Sequence, residues 1–207
     1  MPSISVGQVA EIYAEGLRYF MGQGTLNKTL ERLSSDLEKH GIDYAVIDAV
    51  ALLAHGYPRF TEDIDLVMTS EGLQKFHDEL IGLGYAAAFP GARKRLKSTV
   101  DGVTIEVMTT GEYPGDGKPK PVSMPEPIDA SMEIDGIRFV TLEKLIELKL
   151  ASGMSAPDRL KDLADVQELI KIRKLDADFA LQLDPYVREK YCELEAAVRN
   201  STSIQEK

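Results

Sequence analysis

A chain of 207 residues is long enough for one good core, or for one core with a small helical appendage. Its 43% hydrophobic and 28% charged residues are ordinary for a soluble globular protein, and no apolar run reaches the ~20 residues that span a bilayer. The net charge of −10 argues against broad non-specific nucleic-acid binding, and the single cysteine, Cys192, excludes an internal disulfide and a Cys-rich zinc site.

Apolar positions at helical spacing over 6–20 (Val9, Ile12, Tyr13, Leu17, Phe20) predict a first helix, broken by Gly22 and Gly24. Leu26, Leu30, Leu33 and Leu37 form the stripe of a second helix that stops at Gly41. A short strand follows at Tyr44–Ile47, then a helix over Ala49–His55 with Asp48 as its N-cap, and a turn at Gly56-Tyr-Pro58. Next come a strand at Asp63–Met68 and a helix capped by Ser70 that runs to about Leu83. The chain then turns to strands. Runs at 94–100 and Val103–Met108 flank Asp101-Gly102, a hairpin signal, and 111–127 is a long Gly/Pro-rich loop. A second hairpin, Ser131–Ile134 with Ile137–Val140, turns at Asp135-Gly136. Helices are expected over 142–151 (capped by Thr141), 157–174 and 176–200, before a frayed tail at 201–207.

The order predicts an α+β fold, a small mixed sheet with helices packed on it and a C-terminal helical portion. Its divisions would be N-terminal helices over 1–40, an αβ core over 41–140 and a helical region over 141–200.

Asp63 and Asp65 stand two apart on a short apolar strand, so both carboxylates project from one face, while Ile64 and Leu66 face the core. Two such acids repel each other unless a divalent cation lies between them, and hard cations such as Mg²⁺ prefer oxygen ligands. Glu106, in Val103-Thr-Ile-Glu-Val-Met108, would bring a third carboxylate to the same surface if its strand pairs beside Asp63–Asp65. The plainer alternative is an acidic strand end in an acidic chain. The histidines His40, His55 and His77 have no ligand spacing and read as structural.

The run from Tyr44 to Leu66, with its G-x-x-R-x-T-x-D-I-D-L portion, resembles the signature of the nucleotidyltransferase superfamily. It is most similar to the minimal members, including the AbiEii/AbiGii toxin-like proteins, over roughly residues 40–170. The resemblance implies a nucleotidyltransferase fold, NTP as substrate, and two Mg²⁺ ions, with Mn²⁺ as the alternative. It implies Asp63, Asp65 and Glu106 as metal ligands, with Glu106 also drawing a proton from the acceptor. Lys149 would lie near the triphosphate, Asp162 or Asp165 would orient a base or a cation, and Arg59 and Thr61 would brace the metal-bearing strand or touch phosphate. For Lys149 and Asp162 a solvated helix face is the competing expectation.

One departure is visible. Where the family carries Gly-Gly or Gly-Ser at the nucleotide phosphates, this chain has Asp48-Ala49. A carboxylate there would occupy the donors of the helix start and repel the γ-phosphate. The expectation is weakened nucleotide binding, a shifted phosphate pose, or no catalysis.

Arg93-Lys94-Arg95-Leu-Lys97 is the one dense basic run, able to meet an acidic acceptor or RNA phosphates, or simply a solvated strand end. Lys118 and Lys120 in the long loop are candidate substrate contacts. The resemblance thus leads to a Mg²⁺-dependent enzyme moving NMP from an NTP to an acceptor hydroxyl on RNA, protein or a small molecule. A toxin–antitoxin or phage-defence setting, with an antitoxin partner, is allowed. The rival is a catalytically silent binding or antitoxin-like module. The N-terminus lacks a charged-then-apolar signal pattern, so a cytoplasmic location is expected.

Overall fold

The computed structural model describes residues 6–205, and of these the side chains of 6–10, 12, 13 and 202–205 lie outside the description. The side chains of Val9, Ile12 and Tyr13 in the first apolar stripe and residues 206–207 therefore fall outside the description, and the frayed tail expected from 201 is instead helical through Gln205. In chain order the elements are α1 (Val6–Phe20), α2 (Thr25–Lys39), β1 (Tyr44–Ile47), α3 (Asp48–Ala54), β2 (Asp63–Met68), α4 (Ser70–Glu79), β3 (Tyr85–Ala87), β4 (Arg95–Ser98), β5 (Thr104–Thr109), β6 (Ser131–Ile134), β7 (Ile137–Val140), α5 (Leu142–Ser155), α6 (Leu160–Arg173) and α7 (Pro185–Gln205). Short 3₁₀ turns, Pro157–Arg159 and Ala177–Gln182, precede α6 and α7.

The strands form one mixed sheet in the order β3-β4-β5-β2-β1-β7-β6. β2 lies parallel to β5 and antiparallel to β1, and β1 is parallel to β7. This is the α+β architecture expected from the pattern. Alternation fixes the register: Ile64, Leu66, Leu96, Ile105 and Val107 point into the core, as do the fully buried Leu33 and Leu37 of α2 and Phe76 of α4. Burying a leucine-sized side chain contributes about 1.5–3 kcal/mol, so a one-residue slip of β2 would lose several such contributions and bury two acids instead.

Local signals account for most boundaries. The two hairpins form with their Asp-Gly turns, and Thr141 caps α5 through its hydroxyl, which accepts from the Lys144 N–H. Thr69 caps α4, accepting from the Gly72 N–H at 2.9 Å, where Ser70 was expected. That helix ends at Glu79, because Leu80 and Ile81 turn the chain toward β3, an edge strand too short to show a period of its own. α5 runs four residues past the predicted 151. Its Gly153 lets α6 approach, since a Cβ there would lie 2.6 Å from Leu163. Pro185, which needs no N–H partner, starts α7 later than the predicted 176.

The histidines are structural contacts: His55 is buried with Nε2 2.8 Å from the Val140 carbonyl, His40 pairs with Glu79, and His77 meets the Arg93 carbonyl. Among the described residues no helix is long and apolar enough to cross a membrane.

Candidate functional site

Two rows of side chains cross one face of the sheet. Asp65 stands in register with Glu106 on β5, which stands in register with Arg95 on β4. One step along, Asp63 pairs with Thr104 and Thr104 with Lys97. Asp63, Asp65 and Glu106 therefore share a face, as their spacing required, and each is half-buried. Thr61 bends the chain into β2 through its hydroxyl, 3.3 Å from both the N–H and the carbonyl oxygen of Asp63.

These acids are not equivalent. Burial comes first in pushing the Asp65 carboxyl up to about 7, and the negative charges of Asp48, Glu106 and Asp63 add to it against a smaller opposing pull from Lys149. Among the described residues the Asp65 carboxylate has no hydrogen-bond or ion-pair partner. Glu106 is met by Arg95 at 3.2 Å, a half-exposed pair of the kind that contributes about 0–1 kcal/mol.

Beside Asp65, β1 runs into α3, and Asp48 adopts the left-handed conformation with φ of 52°. It makes no side-chain cap to α3, contrary to expectation. The backbone turn aims its carboxylate across to α5 instead, where it accepts from Lys149 and lies 3.5 Å from Arg59. Asp165 is ion-paired with Lys149 at 2.8 Å and accepts from Arg59 at 2.9 Å. Asp162 accepts from Lys149 at 3.1 Å through one oxygen, and from Ser152 (2.7 Å) and Arg159 (2.9 Å) through the other. Lys149, Asp162 and Asp165 are buried. This is a core network, not the solvated helix face that competed for Lys149 and Asp162. Sequence reasoning missed Ser152 and Arg159 in it, although both sit on the helical face that Lys149 and Asp162 define.

Asp48, Asp162 and Asp165 place three carboxylate oxygens within 4.8 Å of one another, close enough to hold a cation. The cation between them is the Lys149 ammonium, ion-paired with all three. Burial alone would raise Asp48, but Lys149 and then Arg59 outweigh it and hold the carboxyl below its ordinary value. Burial likewise opposes the charge on Lys149, and the three aspartates more than compensate, raising its pKa. Ala49, behind Asp48, is buried in α3.

A cavity of about 260 Å³ opens against this network, walled by Ile47, Met108, Met124 and Leu148 and edged by Asp48 and Lys149. The 111–127 loop roofs it. Gly115, at φ of 75°, lies on α5 so closely that a Cβ would collide with the Ser155 hydroxyl and come within 2.9 Å of the Ser152 carbonyl oxygen. Lys120 turns inward to brace the loop, donating to the Pro114 carbonyl at 2.6 Å and to Asp116 at 2.7 Å, while Lys118 is exposed. In the basic run Lys94 pairs with Glu112 and Arg95 with Glu106, while Arg93 donates to the neutral Gln74 and Lys97 is exposed, so the charges of Arg93 and Lys97 are not offset by an ion pair among the described residues.

Comparisons with protein-family models and with curated proteins gave no match. Solved structures did match. ANT(2″)-Ia, solved in complex with adenylyl-2″-tobramycin, superimposes with a TM-score of 0.51 at 16% identity, over 86% of this chain and 99% of that one. An antigenic nucleotidyltransferase-like protein from Paracoccidioides brasiliensis gives 0.50 at 14% identity, over 86% and 89%. The chain has the nucleotidyltransferase fold.

Proposed function

We propose that the protein is a divalent-cation-dependent nucleotidyltransferase, moving an NMP from an NTP to an acceptor hydroxyl. The observation that carries this is the register of Asp65 beside Glu106, with Asp63 on the same face. The donor set fits Mg²⁺ or Mn²⁺: it consists of carboxylate oxygens only, and their mutual repulsion, seen at Asp65, is what a bound cation relieves. Asp63, Asp65 and Glu106 would hold the metal, which when bound supplies charge neutralisation at the phosphates and an acidified acceptor hydroxyl.

The chain's own groups do the rest. Glu106, swung from Arg95, takes the proton of the acceptor hydroxyl. The acceptor oxygen then bonds to the α-phosphorus, and the bond from that phosphorus to the pyrophosphate oxygen breaks. Lys149 and Arg59 offset phosphate charge, Thr61 holds the start of β2, Asp162 and Asp165 orient Lys149, and the apolar cavity keeps water from the nucleotide. The tobramycin derivative in the ANT(2″)-Ia complex supports a small-molecule acceptor as one option beside RNA and protein. A toxin–antitoxin setting rests on the G-x-x-R-x-T-x-D-I-D-L resemblance alone.

Catalytic silence is a second reading, favoured by one observation: three carboxylates already surround the Lys149 ammonium. Pyrophosphate release from each of ATP, CTP, GTP and UTP with Mg²⁺, in wild type and in the Asp63→Ala/Asp65→Ala variant, decides between them. The active reading expects release with at least one NTP and its loss in the variant. Equal release by both proteins, or none by wild type, would sink it.

A further inference from the structure

The Lys149 ammonium donates to Asp48 and Asp162 and is ion-paired with Asp165 at 2.8 Å, so three carboxylates surround it. An anion reaching Lys149 must therefore displace one of them. Asp162 is fixed by Ser152 and Arg159 through its other oxygen, and Asp165 by Arg59; their side chains are 2% and 5% exposed. Asp48 is different. Its side chain is 26% exposed, it shares the cavity wall with Asp162, and beyond Lys149 its ion-pair partner among the described residues is Arg59, at the longer distance of 3.5 Å. Its contact with Lys149 is the shortest of the three, but it is the only one of these three carboxylates that solvent and an incoming anion reach readily. The cluster also carries no net positive charge, since Arg59, Lys149 and Arg159 are matched by Asp48, Asp162 and Asp165.

Resting on the transferase reading above, we propose that Asp48 is an autoinhibitory internal competitor for phosphate: its carboxylate occupies Lys149 and Arg59 and must be displaced by the phosphates of the nucleotide. The left-handed backbone at Asp48 sets this contact, because it turns the carboxylate toward Lys149 and away from the amides of α3. Asp48 therefore sets the threshold concentration at which nucleotide enters.

The test uses inorganic pyrophosphate as probe, titrated by calorimetry into the full chain without divalent cation. Asp48→Asn keeps the side-chain volume and an acceptor for Lys149 but removes the charge; it is expected to bind at least tenfold more tightly than wild type. Asp48→Gly, which also relieves the positive φ, should do the same, with circular dichroism confirming the fold of each. Two controls are required. Asp178→Asn, the same charge change on a distant exposed site, should give no gain, and Lys149→Gln added to Asp48→Asn should abolish the gain. Affinity within twofold of wild type in both Asp48 variants would overturn the proposal. So would an equal gain in Asp178→Asn, or a gain that survives loss of Lys149. Because no transfer is measured, the two ideas separate. Tighter pyrophosphate binding without NMP transfer by any form upholds the competitor and defeats the enzyme, and transfer by wild type with unchanged Asp48→Asn affinity does the reverse.

Discussion

Replacing Lys149 by methionine should be the most damaging single change in the chain outside the apolar core. The substitution keeps the length of the stem but removes the charge at the centre of Asp48, Asp162 and Asp165, whose oxygens lie within 4.8 Å of one another. With side chains 2% and 5% exposed, Asp162 and Asp165 have almost no water to take over. Removing one partner of a buried ion pair costs about 3–5 kcal/mol, which for a chain of this length lowers Tm by roughly 6–20 °C. Thermal and urea unfolding at pH 7.5 measure it. The pH dependence supplies a sign check. In wild type the Asp48 carboxyl is held below its ordinary value, so its contribution is present above the unfolded carboxyl pKa and is lost as pH falls through the lower folded value. Without Lys149, the burial that opposes the Asp48 charge loses its main counterweight, so the variant gains stability on acidification and the gap between the two proteins narrows from pH 8 to pH 5. Millimolar Ca²⁺ should restore part of the loss in the variant, by entering the three-carboxylate cluster that the lysine leaves. A loss under about 1 kcal/mol, or a gap that widens toward pH 5, would refute the central role given to the ammonium.

Asp65 bears on metal binding. Its carboxyl is raised to about 7, so the folded protein holds a proton that the unfolded chain releases near pH 4, and the metal-free protein loses stability as pH rises between these values. The Mg²⁺-induced rise in Tm should accordingly grow from pH 6 to pH 8, while Asp65→Asn stabilises the metal-free protein at pH 8 by on the order of 1–2 kcal/mol; scanning fluorimetry reads both. Gly115→Ala sets a side chain against Ser155 and Ser152 at a positive φ, and should cost about 1–3 kcal/mol locally, seen as faster amide exchange over the 111–127 loop with the global Tm little changed. Arg95→Gln frees Glu106 and should tighten Mn²⁺ binding a few-fold by calorimetry, with stability within about 0.5 kcal/mol of wild type.

Period-2 and turn chemistry made the sheet face legible: Asp63 and Asp65 two apart, Glu106 between core-facing Ile105 and Val107, and two Asp-Gly hairpins all read directly from local spacing. The polar core did not. Lys149, Asp162 and Asp165 carry the same letters as a solvated helix face, and only the packing of α5 against α6 and the sheet makes them interior. The role of Asp48 was misjudged for a related reason. An aspartate before a helix is ordinarily its cap, because the cap hydrogen bond is local. Here Lys149 from a distant helix and Arg59 from the turn before β2 compete for the same carboxylate, and they win at the expense of a left-handed backbone. Strand β3 escaped detection because three residues at a sheet edge carry too little periodicity to register.

The Asp48–Arg59–Lys149–Asp165 cluster joins the end of β1 and the turn before β2 to helices α5 and α6, residues 48 and 149 being about a hundred positions apart along the chain. Each side of that seam is left with uncompensated buried charge if the other lets go. The sheet and the C-terminal helices therefore cannot melt one after the other: the same contacts that tune the candidate nucleotide site should make thermal unfolding a single cooperative transition, and should make a fragment ending near residue 141 fail to hold its fold.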